Sequence, residues 1–489
     1  MASNLPARLS YEDATFFYFD RDKFPYNVGS VGIYEGVLPF EDYISHVERR
    51  LDRVPRYRQR VVPVPFDLAL PAWHDDPDFA IERHVTHAVL PEPGDEAQLR
   101  RMAADFFATP LDRSKPLWEI RLVHGLSGDR TAHIAKIHHS MIDGISGVQL
   151  MGAILDVEQH PTEDPPDDPW QRPTALPGPL VRLTDAAFDR LLEQIATAEG
   201  VVRGLADPGS VVRNVRAVAG SLWAARSHLF RTGKTPWSTR LTSPRRLAWQ
   251  SLPFDDVRRI SKALGGSVND VVLAVLAGGL GRYLTFHGFP TDGEVRVLIP
   301  VNVRSKSEHR DLGNRVSFMI AGLPVGTKDP IERFRAIHSE IAHLKEIDQA
   351  GNLDKLAAFL GQTPPRMQRL LGERLSTPNF VGDLVCTNVP GPTMPLYCAG
   401  HRMTDHYPWV PIGWRMGLGV AVMSYDRRLS IALTADQSVL ADLEWLGSFM
   451  GEEFDELREA VLGRAQSEPA PAPPAMYVAA REDTPTVGF

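Results

Sequence analysis

The chain has 489 residues, a mass of 54.3 kDa and a formal net charge of −8 at pH 7. At about 150 residues per domain, this length indicates more than one hydrophobic core. Hydrophobic residues make up 43% of the chain and charged residues 23%, the usual balance of a globular protein, which excludes a wholly disordered chain, a coiled coil and a multi-span membrane protein. The acidic balance argues against nucleic acid as a partner.

The two cysteines, Cys386 and Cys398, do not form a CxxC pair and are expected to be reduced, buried thiols. The N-terminus is polar and acidic, so no signal peptide is expected. The longest apolar run, 271–280, has about half the length that a membrane span needs. The sequence therefore predicts a cytoplasmic chain, or one that lies on a membrane without crossing it.

Helical and strand patterns alternate along the first third of the chain. Two β-rich runs surround a Ser-Gly-Asp turn and predict a hairpin. An acidic, proline-rich segment, 157–178, then predicts a linker. The predicted elements are a strand at 29–36, helices at 40–54 and 95–107, the hairpin strands at 116–126 and 130–140, and a helix at 144–157.

A second unit with the same mixture begins near residue 246. Its predicted elements are a long apolar helix at 269–284, strands at 295–304, 314–326, 380–392 and two within 417–437, and an acidic helix at 441–462. The sequence therefore predicts an α/β (α+β) protein. Its predicted division is an N-terminal domain at 1–178, a basic helical connector at 179–245, a C-terminal domain at 246–465 and a disordered tail at 466–489.

The string HHSMIDG at 138–144 carries the most chemical information. It lies where the second hairpin strand ends, and neighbouring side chains on a strand point to opposite faces. One histidine is therefore a candidate base and the other is structural. Asp143 and Gly144 are typical of a tight turn that fixes the bend. A zinc site lacks a third ligand at the right spacing, and Ser140 lacks the flanking glycines of a nucleophile elbow.

HHSMIDG resembles the HHxxxDG signature of the CoA-dependent acyltransferase superfamily, and the chain is most similar to its bacterial wax ester synthase/diacylglycerol acyltransferase family. Several shorter strings, in the family's order between about residues 8 and 462, carry this resemblance. They are LSYEDATFFYF at 9–19, PLWE at 116–119, ND at 269–270, PVNVR at 300–304, GN at 313–314 and NVPGP at 388–392. The DFGWG string of related plant enzymes is absent, which favours the bacterial lipid branch.

The resemblance implies two chloramphenicol-acetyltransferase-like domains, each a mixed sheet with flanking helices, and an active-site tunnel at their interface. It implies an O-acyltransferase that moves a fatty acyl group from acyl-CoA to diacylglycerol, to a long-chain fatty alcohol, or to both. His139 is then the base, His138 its less direct neighbour, and Asp143 the residue that holds the loop next to Gly144. Acyl-CoA is a co-substrate, and neither a cofactor nor a metal is expected.

The shorter motifs that carry the resemblance can be explained by structural roles as well as by functional ones. Ser267 and Asp270 have the spacing of a helix capping box, with substrate binding as the alternative role of Asp270. Asn269 is a candidate to hold the tetrahedral oxygen or orient the acceptor. Trp118 is expected first in the core, with a role in shaping a substrate pocket as the alternative. Arg304 is a candidate for the CoA phosphates or for an ion pair. The string NVPGP predicts a rigid turn after a strand.

Residues 200–246 hold nine basic residues and one acidic residue, a balance of +8 in a chain of −8. Apolar residues, including Trp223, are interleaved with the bases. A basic amphipathic helix with a tryptophan, as this pattern indicates, predicts contact with an anionic membrane or a lipid-droplet surface. That contact would place the chain at the inner membrane face or on lipid inclusions. The alternative is a helix that packs its apolar stripe on the protein and leaves its arginines in water.

Two other functions fit parts of the sequence. A condensation-type acyltransferase that takes its acyl group from a carrier protein would share HHxxxDG, but no carrier or adenylation module is present. A catalytically silent lipid-binding protein would be expected to lose the second histidine or the Asp-Gly turn, and both are intact. The sequence does not rank acceptors or chain lengths, and it leaves a homodimer open.

Overall fold

Two six-stranded mixed sheets form the framework of the protein. The structure is a computed structural model, and it describes residues 7–20, 24–141, 147–161, 170–189, 235–242, 244–302, 316–349, 351, 382–413 and 415–463. The helices are α1 Tyr11–Phe19, α2 Phe40–Arg50, α3 Glu96–Ala108, α4 Gly147–Ile154, α5 Phe254–Ala263, α6 Val268–Phe286, α7 Pro330–Glu346 and α8 Leu443–Leu462. The first strands are β1 Asn27–Glu35, β2 Gln59–Val62, β3 Ala72–Asp75, β4 Val85–Val89, β5 Trp118–Leu126, β6 Arg130–His138 and β7 Arg245–Pro253. The others are β8 Val295–Asn302, β9 Val316–Leu323, β10 Leu384–Val389, β11 Tyr397–Cys398, β12 His401–Trp409, β13 Leu418–Tyr425 and β14 Arg428–Asp436.

The first sheet has the strand order β11-β12-β1-β6-β5-β4, and only its β4–β5 pair is parallel. β1 lies at its centre, paired with β6 on one side and with β12 on the other. Glycines on β1 allow close packing: a Cβ on Gly29 would meet the Ala135 carbonyl oxygen at 2.1 Å. The sheet therefore holds the end of β6 against the start of β1 over nine paired residues.

The second sheet has the order β7-β14-β13-β10-β8-β9, with parallel pairing of β10 to both β13 and β8. Its main core cluster contains residues of α5, α6, α7 and α8. α6 is buried along almost its whole length and packs on α8. A Cβ on Gly278 would lie 2.3 Å from the Glu453 carboxylate, so the two helices approach closely at this point.

α3 lies between the two sheets and joins them. Its residues share one core cluster with strands of the first sheet and with Leu247 and Ala432 of the second. Phe107 stacks on Trp409 with ring centroids 4.5 Å apart, and Trp249 of β7 stacks on Tyr407 of β12 at 4.8 Å. The sheets therefore meet through a packed aromatic contact.

The mixed α/β prediction and the hairpin of β5 and β6 are confirmed. β10 ends at Val389, within the NVPGP string, and the rigid turn expected there stays a prediction. One feature was not predicted: β11 and β12, which lie within the predicted C-terminal domain, pair into the sheet of the N-terminal part. The tail and residues 190–234 and 243 of the connector lie outside the described residues, and the predicted domain boundaries stay predictions.

Within the described ranges, no single helix has the length and apolar composition to cross a bilayer. The consecutive helices α5 and α6 meet that test only when taken together, and they are bent by 100° at the break between them. Most residues of α6 are buried inside the protein.

The capping box at the start of α6 gives a stability prediction. Ser267 Oγ accepts from the Asp270 N–H at 3.3 Å, and Asp270 Oδ2 accepts from the Ser267 N–H at 2.8 Å. Ser267→Ala should destabilise the protein by about 1 kcal/mol, because an N-terminal donor loses its acceptor. A urea titration followed by circular dichroism should show a lower midpoint. Ser448→Ala, at an exposed serine within α8, is the control; equal midpoints for the two variants would contradict the capping role.

Candidate active site

Backbone pairing places the two histidines at the end of the first sheet's central strands. His138 is the last residue of β6 and pairs with Asn27 of β1. His139 begins the short 3-10 turn His139–Met141, and its N–H donates to the Tyr26 carbonyl at 2.8 Å. The pair is therefore fixed by main-chain hydrogen bonds on both sides of the point where the strand ends.

The ring of His138 is hydrogen-bonded at one nitrogen and lies near a carboxylate at the other. Its Nδ1 accepts from the Ser140 N–H at 3.1 Å and lies 2.7 Å from Ser140 Oγ. Because a backbone N–H can only donate, Nδ1 is the acceptor in this hydrogen bond, and Nε2 is the nitrogen that carries the ring proton. Nε2 lies 3.7 Å from Asp20 Oδ2, and the residue is 1% exposed. His138 is therefore enclosed, with both nitrogens directed at protein groups.

His139 has a different environment. Part of the residue is exposed, and its ring stacks on Phe16 with centroids 3.9 Å apart and an interplanar angle of 26°. Its Nδ1 is buried, and no residue in the described ranges forms a hydrogen bond to it. Burial, and secondarily the neighbouring His138, lower the pKa of His139 to about 4. The imidazole is therefore neutral at pH 7 and available as a base.

The short helix α1 supplies the aromatic contacts of both histidines. Ser10 caps its N-terminus, since Ser10 Oγ accepts from the Asp13 N–H at 3.1 Å. Near its C-terminus, Phe16 covers His139 and Phe17 meets the ring of His138 edge-on at 6.1 Å. Asp20 then ends the helix, and its carboxylate reaches His138.

Trp118 lies in the core of the first sheet. It is 1% exposed, its Nε1 donates to the Tyr57 carbonyl at 2.8 Å, and its ring stacks on His84 at 4.5 Å. These contacts support the structural explanation of PLW, and a role in shaping a substrate pocket stays a prediction. The predicted site residues Asp143, Gly144 and Arg304 lie outside the described residues.

Asn269 and Asp270 occupy the first turn of α6. Asp270 is 2% exposed, and its Oδ2 serves the capping box and lies 3.0 Å from His338 Nδ1. The predicted capping box is thus confirmed, and it uses Oδ2 of the carboxylate that is also a substrate-binding candidate. Asn269 is partly exposed at the helix N-terminus. In the described part of the chain, no hydrogen bond or ion pair joins either residue to the histidine pair, so their functional roles stay predictions.

Three residues of the site are not predicted from the sequence: Phe16, Asp20 and Arg113. Arg113 Nη2 donates to Asp20 Oδ2 at 3.0 Å and to the Phe17 carbonyl at 2.9 Å. The string LSYEDATFFYF contained Phe16, but nothing in it indicates which residue its ring covers. Among the described residues, no three His, Cys, Asp or Glu side chains gather as a metal site would require. The arrangement offers one partly exposed neutral imidazole beside one enclosed imidazole.

Solved structures share this fold. A wax ester synthase/diacylglycerol acyltransferase from Marinobacter aquaeolei matches with a TM-score of 0.64 and 22% identity, covering 93% of this chain and 100% of the other. The first condensation domain of the calcium-dependent antibiotic synthetase matches with a TM-score of 0.59 and 15% identity, over 94% and 97% of the two chains. These two similarities show the fold of the chain.

Sequence comparison gives the family. Residues 9–272 match the wax ester synthase/diacylglycerol acyltransferase catalytic domain, and residues 312–458 match the WS/DGAT C-terminal domain. A probable diacylglycerol O-acyltransferase of Mycobacterium tuberculosis is 32% identical over 85% of this chain and 87% of its own length. The O-acyltransferase WSD of Acinetobacter baylyi is 27% identical over 93% and 97%. The chain belongs to the wax ester synthase/diacylglycerol acyltransferase family. The predicted family, fold class and acyltransferase activity are confirmed.

The stack of Phe16 on His139 gives a prediction about the imidazole pKa. Phe16→Ala should raise the pKa of His139 from about 4 toward 6.5, because water would reach the ring face that Phe16 now covers. Histidine Cε1–H chemical shifts measured against pH report this change, with the His139 signal identified by its loss in His139→Ala.

Phe79→Ala is the matched control. Phe79 stacks on His84 with centroids 5.3 Å apart, and burial lowers the pKa of His84 to about 4 as well. This variant should raise the pKa of His84 and leave that of His139 unchanged. A folded Phe16→Ala variant with an unchanged His139 pKa would show that Phe16 does not set it.

Proposed function

We propose that the chain transfers a long-chain acyl group from acyl-CoA to diacylglycerol, to a long-chain fatty alcohol, or to both, with His139 as the base. The observation that carries the residue assignment is the contrast within the pair. Both nitrogens of His138 are directed at protein groups, whereas His139 is neutral and partly exposed. The names of relatives such as the Mycobacterium tuberculosis protein favour diacylglycerol as an acceptor.

The reaction needs no covalent intermediate on the protein. The acceptor oxygen forms a bond to the thioester carbonyl carbon while His139 accepts the hydroxyl proton. The tetrahedral intermediate then collapses, the carbon–sulfur bond breaks, and the imidazolium returns the proton to the leaving CoA thiolate. The products are an ester and free CoA, and His139 is neutral again. A group that accepts and returns one proton in each turnover is sufficient for both steps.

Other roles complete the proposal. Asn269, a partly exposed amide at the first turn of α6, is the candidate that donates a hydrogen bond to the tetrahedral oxygen. In this proposal Asp143 and Gly144 supply the turn that fixes the histidines, and Arg304 supplies the contact to the CoA phosphates. These assignments are supported by their positions in the family's motifs.

His139→Ala should lower the rate of ester formation by roughly 10²–10⁴-fold, because the proton acceptor is lost. His138→Ala should lower it less. The assay follows free CoA thiol and lipid ester with palmitoyl-CoA plus dioleoylglycerol or hexadecanol. His84→Ala is the control, because His84 is also buried, stacked on aromatic rings and held neutral. It should lose stability and keep its turnover rate.

Three results would contradict the proposal. A folded His138→Ala variant that is slower than His139→Ala would reverse the assignment. Parent enzyme that releases no thiol with either acceptor would favour a lipid-binding protein. Parent enzyme that is active only when the acyl group is loaded on a carrier protein would favour a condensation-type transferase.

Contact with an anionic membrane or lipid-droplet surface is a further part of the proposal. Long-chain diacylglycerols and alcohols partition into membranes, and the +8 stretch at 200–246 supplies attraction of about 1 kcal/mol per basic residue near an anionic surface. Two basic residues at the C-terminal end of this stretch add less attraction, because each lies beside an acidic side chain. Arg245 is 6% exposed and lies 3.7 Å from Asp436, and Arg246 pairs with Glu444 at 2.9 Å. Arg203, Arg213, Arg216, Arg226, Arg231 and Lys234 lie outside the described residues.

Replacing Arg213, Arg216 and Arg226 together by glutamate should reduce co-sedimentation with anionic liposomes and activity on bilayer-borne diacylglycerol. Activity on a short, water-soluble alcohol should persist, because the chemical step is untouched. Added salt should weaken binding of the parent, since exposed charges are screened over ~8 Å at physiological ionic strength. A triple variant that sediments like the parent would show that the arginines form only a solvated surface.

A further inference from the structure

Asp20 is a buried carboxylate beside the histidine pair that the proposed chemistry does not use. It ends α1, where its N–H donates to the Phe16 carbonyl at 3.1 Å. Its side chain is 8% exposed. A carboxylate withdrawn from water in this way is unfavourable unless its oxygens receive hydrogen bonds or face positive charge.

Each oxygen of Asp20 has a donor. Oδ1 accepts from the Tyr26 N–H at 2.9 Å, and Oδ2 accepts from Arg113 Nη2 at 3.0 Å. The Arg113 guanidinium also lies over the ring of Phe17, 4.3 Å from its centroid. One carboxylate therefore ties together the end of α1, the segment that enters β1, and the loop between α3 and β5.

The same carboxylate reaches both histidines by separate routes. Its Oδ2 lies 3.7 Å from Nε2 of His138, the nitrogen that carries the proton. Tyr26, whose N–H it holds, accepts the N–H of His139 through its carbonyl at 2.8 Å. In addition, the carbonyl bonded to the Asp20 N–H belongs to Phe16, the residue stacked on His139.

We propose that Asp20 is a positioning residue for acyl transfer, which acts on His138 through its carboxylate and on His139 through Tyr26 and Phe16. The inference rests on the proposed role of His139 as the base. Asp20 touches neither substrate nor the reacting atoms. It fixes the distance between α1 and the strand end, and with it the direction in which the His139 ring points.

The charge of Asp20 is suited to this role. Burial alone would raise its pKa, but His138, the Tyr26 N–H and Arg113 together hold the pKa below its ordinary value. The carboxylate is therefore ionised wherever the enzyme works. Its Oδ2 faces Nε2 of His138, while the Ser140 N–H donates to Nδ1 on the other side of the ring.

The experiment compares Asp20→Ala with Asp20→Asn. Asp20→Ala removes the acceptor of the Tyr26 N–H and should lower kcat by about ten- to a hundred-fold, the scale expected for a base displaced by about 1 Å. The KM for palmitoyl-CoA should change by less than about two-fold, since no substrate contact is lost. Asp20→Asn keeps an acceptor of the same shape and should recover part of the kcat. The Cε1–H signal of His139 should move in Asp20→Ala.

Asp436→Ala is the matched control. Asp436 is fully buried in β14, accepts backbone N–H groups from Thr242 and Ser438, and lies 3.7 Å from Arg245. It should lose stability, keep its kcat per folded molecule and leave the His139 signal in place. If Asp20→Ala does not fold, Asp20→Asn decides alone: a lowered kcat with a shifted His138 signal supports the inference.

The inference is overturned if the folded variant keeps its kcat within about two-fold of the parent, or if the His139 signal does not move. It is also overturned if the loss of kcat in Asp20→Ala matches that in Asp436→Ala, because the role would then be general stability. The activity of His139→Ala shows whether only the positioning role of Asp20 has failed or the proposed function as well. An inactive His139→Ala beside a fully active Asp20→Ala removes only the positioning role, whereas an active His139→Ala removes the base itself.

Discussion

The antiparallel pairing of β1 with β6 is the interaction on which the candidate site depends. It runs from Glu35 opposite Arg130 to Asn27 opposite His138, and β12 holds β1 from its other side. At the open end of this ladder, the Tyr26 carbonyl receives the His139 N–H. The backbone of the two histidines is thus held where the central strands β1 and β6 end, and its hydrogen bonds limit movement of the proposed base.

Around this ladder, one helix and one carboxylate complete the site. α1 lays Phe16 and Phe17 on the two rings, and Asp20 fixes α1 to the strand end. The enclosure has a consequence for stability. The folded pKa of His139 is about 4, below the ordinary value of 6.5, so the unfolded chain binds a proton that the folded chain does not. The stability that neutral His139 contributes to the folded protein is therefore fully present above pH 6.5. It is lost progressively as the pH falls toward 4.

The sequence predicted the local features of this arrangement and missed the long-range ones. The β5–β6 hairpin follows from alternating residues around a turn, and the α6 cap follows from the spacing of Ser267 and Asp270. Both depend on neighbours within a few residues. β12 pairs with β1 across more than 360 residues of chain, and no periodicity indicates which sheet a strand joins. The contact between Phe16 and His139 was missed for the same reason: it depends on tertiary packing.

The pH dependence of kcat/KM for the parent enzyme tests the central claim most directly, because it reports the protonation of the free enzyme's base. The measurement uses palmitoyl-CoA below its KM with dioleoylglycerol, and thermal melting at each pH shows where the protein stays folded. A neutral, partly exposed His139, whose pKa is lowered by burial of its ring, predicts that kcat/KM stays level as the pH falls through 6.5 and declines only toward the pKa of about 4. A decline centred at 6.5 or above, with the protein still folded, would show that the base is an exposed histidine and would contradict the account.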